Sequence, residues 1–133
     1  MHTVELEIQT DGRRFTVLTA EVRRFCAEQG DGLCNVFVPH ATAGLALIET
    51  GAGSEGDLSD LLDRLLPRDG LYAHNHGSPG HGADHVVPAL ISPSLVVPVV
   101  GGEPALGVWQ SIVLVDTNAD NPDRRVRLSF VAG

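Results

Sequence analysis

The chain has 133 residues, 43% of them hydrophobic and 20% charged, which suffices for one globular domain over residues 1–133 whose core needs no disulfide or metal staple. Its net charge of −8, with nine scattered cations that are all Arg, excludes an extended nucleic-acid footprint, which needs a basic stripe, and the absence of Lys excludes a lysine Schiff base. No membrane-length apolar run and no basic start followed by an apolar stretch occurs, so the expectation is a soluble, cytoplasmic protein without a membrane partner.

In chain order, Val4, Leu6 and Ile8 alternate with Thr3, Glu5, Glu7 and Gln9, the period of a strand with one buried face, and Asp11-Gly12 turns it. Phe15 and Val17 continue extended. Thr19 is the expected cap of a helix that places Val22, Phe25 and Cys26 on one face and Glu21, Arg23, Arg24 and Glu28 in water, with Gly30 and Gly32 as its stop. Cys26 and Cys34 lack the second pair that a zinc framework requires and read as buried thiols of a reducing compartment. Leu33 to Val38 predicts a central strand leading into Pro39-His40, and Leu45 to Ile48 the next, ending in Glu49. Ser54 stands three residues before Asp57 and opens the clearest helix, in which Leu58, Leu61, Leu62, Leu65 and Leu66 repeat at helical spacing until Pro67. His85 to Ile91 is a short segment interrupted by Pro88. Leu95 to Val100, Ala105 to Trp109, Ile112 to Val115 and Val126 to Val131 read as strands, separated by Gly101-Gly102 and by the segment Thr117 to Pro122. Two main helices among these strands, without regular βαβ alternation, imply an α+β fold: a single-domain mixed or antiparallel β-sandwich.

The chemistry concentrates in Tyr72 to His85, a glycine-rich segment that holds four of the six histidines, His74, His76, His81 and His85. No hydrophobic periodicity explains them as core residues. Neutral imidazole is the commonest side-chain ligand for divalent metals, and loops of this length are uncommon unless functional; the alternative is a surface loop that is merely His-rich. His40, where a buried strand emerges, is a structural histidine or a ligand. With His74 and His85 it forms the expected metal set, three imidazoles leaving an open coordination position, for zinc or, with carboxylates, magnesium. His76 and His81 are ligands or bystanders. Glu49 and Asp57 are candidate catalytic or second-sphere carboxylates. Thr42 and Gly44, in the small-residue run after His40, offer a hydroxyl and backbone amides to a phosphate. Trp109 reads as a packing anchor whose neighbour Gln110 lines the site. Arg124 or Arg125 is the expected cation for an anionic substrate, while alternation sends Arg125 and Arg127 to the face opposite Val126 and Leu128. No Gly-x-Ser-x-Gly, no Cys beside a His and no dinucleotide turn occurs, so covalent catalysis is disfavoured.

The succession Val38-Pro39-His40-Ala41-Thr42-Ala43-Gly44-Leu45-Ala46-Leu47-Ile48-Glu49, Asp57 in a leucine helix, Tyr72-x-His74, His85, and Leu106-Gly107-x-Trp109-Gln110 before an arginine-bearing last strand resembles the YjbQ or UPF0047 family, also called the secondary thiamine-phosphate synthase family, over essentially the whole chain. The resemblance implies a compact α+β fold, a homotrimer, and a histidine-lined pocket near the subunit boundary for a metal ion or a phosphorylated small molecule. The implied reaction joins a pyrimidine methyl pyrophosphate to a thiazole phosphate and releases pyrophosphate. The chain departs from the usual family pattern at Ala41, where Thr is usual, at Val108, again for Thr, at Asp116 for Glu, and at Gly80-His81-Gly82-Ala83-Asp84, which replaces an Asp-Asn pair. A metabolite- or metal-binding module and a metal-dependent phosphohydrolase are the alternative readings of the same histidines.

Overall fold

Alternation along the strands sorts the apolar side chains into two cores. A computed structural model describes residues 1–133. Strands β1 (His2–Gln9), β3 (Gly32–Phe37), β5 (Ser94–Val100), β6 (Glu103–Pro104) and β8 (Asp123–Ala132) form one antiparallel sheet in the order β1-β8-β3-β5-β6. Strands β2 (Phe15–Val17), β4 (Ala43–Ile48) and β7 (Ser111–Asp116) form a second, in the order β2-β7-β4.

The central strand β7 is buried on both sides, which is why it reads as a continuous apolar run rather than as an alternation. Ile112 and Leu114 point into the space between the sheets, where they meet Val36, Val97, Val126 and Leu128 of the larger sheet and Val22 and Cys26 of helix α1 (Thr19–Cys26). Val113 and Val115 point the other way, against Leu58 and Leu62 of helix α2 (Ser54–Leu65). The sandwich therefore carries α2 as a third layer on its smaller sheet. Single helical turns α3 (His81–Asp84) and α4 (Val87–Leu90) lead back into β5.

Two local expectations are corrected and one is refined. Thr19 does not cap α1; its hydroxyl accepts the Ile112 amide at 2.9 Å, tying the helix to β7 instead. Ser54 opens α2 as expected, without a capping bond from its side chain: Gly53, at φ 102°, precedes it, and the Glu55 carboxylate reaches back to the Gly51 amide at 3.1 Å. Residues 105–109 are not a strand. Gln110 closes a turn, its amide donating to the Gly107 carbonyl and its side-chain oxygen accepting the Gly107 amide, and Trp109 is 73% exposed rather than a packing anchor.

Candidate metal centre

Helix α2 runs out at Leu65, and the following loop returns to the body through Gly77 and Gly80, whose φ angles of 82° and 86° are left-handed and suit glycine. The single turn α3 then spaces His81 and His85 four residues apart on one face. His74 crosses this turn at Gly82: a Cβ there would lie 2.4 Å from the His74 carbonyl oxygen and 2.6 Å from the Tyr72 Cβ. Only a residue without a side chain permits that crossing.

The imidazoles of His74, His81 and His85 converge so that one nitrogen from each lies within 4.8 Å of the others. His81 Nε2 faces His85 Nε2 at 3.0 Å, and the His76 ring centroid lies 4.2 Å from that of His74 and 5.1 Å from that of His81. Two facing imidazole nitrogens need either a shared proton or a cation between them. Bonds of about 2.0–2.1 Å to a tetrahedral zinc ion put neighbouring nitrogens roughly 3.3 Å apart, close to this spacing. His81 Nδ1 is buried and has no hydrogen-bond partner; the Asp120 carboxylate stands 3.9 Å away, on the side where a ligating histidine directs its second N–H. The residues fit a borderline divalent cation. They fit magnesium poorly, because the donors are nitrogens and the nearby carboxylates are engaged elsewhere, Asp84 with Arg68 and Asp120 with Ser78.

Desolvation holds the His74 and His85 imidazoles below their ordinary pKa, and the neighbouring histidines push the same way, against Asp84 in the case of His85. His40 is lowered too, first by burial and then by Arg124 and Arg125. A depressed histidine pKa means that the unfolded chain takes up the proton first, so stability is fully present above about 6.5 and declines as pH falls through the folded values. Urea midpoints of the metal-free protein should therefore decrease between pH 7.5 and 5; a midpoint that is flat or rises over that range contradicts the assignment.

Several residues expected at this site lie elsewhere in the protomer. His40 is not among the converging donors, and the third imidazole is His81. The His40 Nε2 lone pair accepts the Arg125 amide at 2.8 Å, at the far end of β3. Glu49 and Asp57 do not join the donors either, since both precede or open α2 whereas the histidine loop leaves its other end. A twelve-residue helix spans about 18 Å. Thr42 is buried and accepts a hydrogen bond from the Arg124 guanidinium at 3.1 Å. Gly44 is a close-packing position, where a Cβ would lie 1.9 Å from the Ile91 carbonyl oxygen. Gln110 serves its own turn. Arg124 is buried and committed to Asp116 at 2.5 Å, and Arg125 is exposed and pairs with Glu5 at 3.3 Å. The two regions are nonetheless tied: consecutive residues Asp116 and Thr117 hold Arg124 and Asp84 respectively. His81 was recognisable from its spacing to His85, which matches one helical turn.

Residues 4–133 match the family described as UPF0047 protein YjbQ-like. A UPF0047 protein of Mycobacterium tuberculosis is 65% identical, with all of both chains covered. One from Archaeoglobus fulgidus is 34% identical over 85% of this chain and 89% of its own. Among solved structures, a hypothetical protein of Aeropyrum pernix superposes with a TM-score of 0.87 at 31% identity, with both chains fully covered. A YjbQ/UPF0047 family protein of Clostridium acetobutylicum gives 0.85 at 28% identity, covering 96% of this chain and 99% of its own. With the same layered fold and a match that runs from the first strand to the last residue, the chain belongs to the YjbQ-like UPF0047 family.

Proposed function

We propose that the protein is a metal-dependent enzyme acting on phosphorylated small molecules, with thiamine-phosphate synthesis as its reaction. The observation that carries the proposal is the convergence of His74, His81 and His85, with His76 beside them, on an otherwise acidic molecule. A protein of net charge −8 needs a local cationic spot before it can handle a pyrophosphate. A zinc-class ion, when bound, supplies Lewis-acid neutralisation of the charge that develops on the leaving group. The three imidazoles would hold that ion, with the Asp120 carboxylate 3.9 Å from His81 Nδ1 on the outer side of the ring. The adjoining cavity of about 270 Å3, lined in part by Asn75, Ser78 and Tyr72, gives a small polar substrate room beside the imidazoles. In the reaction the thiazole nitrogen attacks the methylene carbon of the pyrimidine as the carbon–oxygen bond to pyrophosphate breaks. The attacking nitrogen carries no proton, so the step needs no general base. A homotrimer is part of the proposal and gives the exposed Val108-Trp109 tip a partner.

Incubating the zinc-loaded protein with both phosphorylated half-molecules and separating the products tests this reading. The expected result is thiamine phosphate and an equal amount of pyrophosphate. Inorganic phosphate from a simple monoester, without coupling, assigns the centre to a phosphohydrolase instead.

A further inference from the structure

Asp84 lies between His81 and His85 in sequence and is fully buried. Its carboxylate accepts both arms of the Arg68 guanidinium, at 2.5 and 3.3 Å, and the Thr117 hydroxyl at 2.6 Å. The same guanidinium donates to the Pro79 carbonyl at 3.3 Å. This reach exists because residue 80 is glycine: a Cβ there would lie 2.3 Å from Arg68 Cζ. One cation thus joins the end of α2, the middle of the histidine loop and α3, and Thr117 fastens the assembly to the end of β7. Around it the loop offers little apolar packing: Leu71, Ala73, Asn75 and Gly77 are exposed. The helical turn that bears two of the three imidazoles buries Gly82 and Ala83, and this ion pair ties it to the exposed loop and to the end of α2.

We infer that Arg68 and Asp84 are positioning residues of the metal centre, a bidentate clamp that sets His81 and His85 at ligating separation before the ion arrives. The inference rests on the metal-binding reading above. A fork-shaped guanidinium fixes both distance and orientation, which a lysine ammonium at the same place does only as a point charge. Outer-sphere partners of this kind typically carry 10–100-fold in metal affinity.

The test compares the unaltered protein with Arg68→Ala, Arg68→Lys and Asp84→Asn. Zn2+ affinity is measured by competition with a chromophoric chelator, ligand geometry by the visible absorption of bound Co2+, and folding by the melt of the metal-free protein. Arg68→Ala and Asp84→Asn should weaken Zn2+ binding roughly 10–100-fold and alter the Co2+ spectrum while still melting cooperatively. Arg68→Lys should recover part of the affinity but not the full spectrum. Should Arg68→Ala or Asp84→Asn fail to fold, the lysine variant carries the same readouts. Variants that bind as tightly as the unaltered protein with an unchanged spectrum overturn the clamp alone. Weakening that merely tracks the unfolded fraction, and vanishes on cooling to full folding, also overturns it. Failure of the unaltered protein to take up Zn2+ or Co2+ removes the metal-binding reading and this inference together.

Discussion

Alanine in place of His81 or His85 should reduce the zinc retained after dialysis from an expected one ion per chain to background, and any coupling activity should fall with it. The expected loss of affinity is at least ~100-fold, the upper end of what even an outer-sphere change costs, because a ring nitrogen that bonds the ion directly is removed. Folding should survive. His81 and His85 are half-buried, neither contributes to the two hydrophobic clusters, and α3 keeps its Asp84 anchor. A paired control separates this centre from the histidine first expected to complete it. His40→Ala should leave zinc content unchanged, since that imidazole spends its free lone pair on the Arg125 amide. Elemental analysis of three purified variants decides the matter: zinc kept by His85→Ala, or lost from His40→Ala, sinks the assignment of ligands.

The difference between expectation and structure at this site has a physical origin. Clustering of imidazoles in a glycine-rich loop is a local property, so the loop itself was legible. Which three imidazoles share an ion depends on the return path of the chain, set by left-handed Gly77 and Gly80, the Gly82 crossing and the Arg68–Asp84 pair, none of which has a periodic signature. Strands β1 and β8 were readable for the opposite reason. Each turns one face inward, half-buried in β1 and fully buried in β8, so Val4, Leu6 and Ile8 and then Val126 and Leu128 announce it by alternation. Tryptophan misled because size was equated with burial, whereas Trp109 occupies a turn tip that Gln110 closes on itself. Arg124 misled through position. The sequence makes it a candidate cation for an anionic substrate, but β8 begins one residue earlier and its alternation carries Arg124 inward with Val126.

That inward placement makes Arg124 and Asp116 the polar pair whose disruption should cost most. Both are buried, joined at 2.5 Å, and embedded in further bonds: Arg124 donates to Thr42 at 3.1 Å, and Asp116 accepts the Asn118 amide at 2.9 Å. Removing one charge strands the other away from water, so Asp116→Ala or Arg124→Ala should each destabilise the fold by about 3–5 kcal/mol. That is a large share of the roughly 5–15 kcal/mol expected of a domain. The exposed pair between Arg125 and Glu5 provides the contrast, since breaking it should cost about 0–1 kcal/mol at ordinary salt. Replacing both buried partners, as Asp116→Leu with Arg124→Met, removes the uncompensated charge and should cost clearly less than the sum of the single changes. It should not return to zero, because the Thr42 hydroxyl and the Asn118 amide lose partners, at roughly 1–3 kcal/mol for each group left unsatisfied. Urea unfolding of the two single variants and the double completes the cycle. Strict additivity, or single losses as small as that of the Arg125 pair, means that the buried ion pair does not hold the end of β7 against β8.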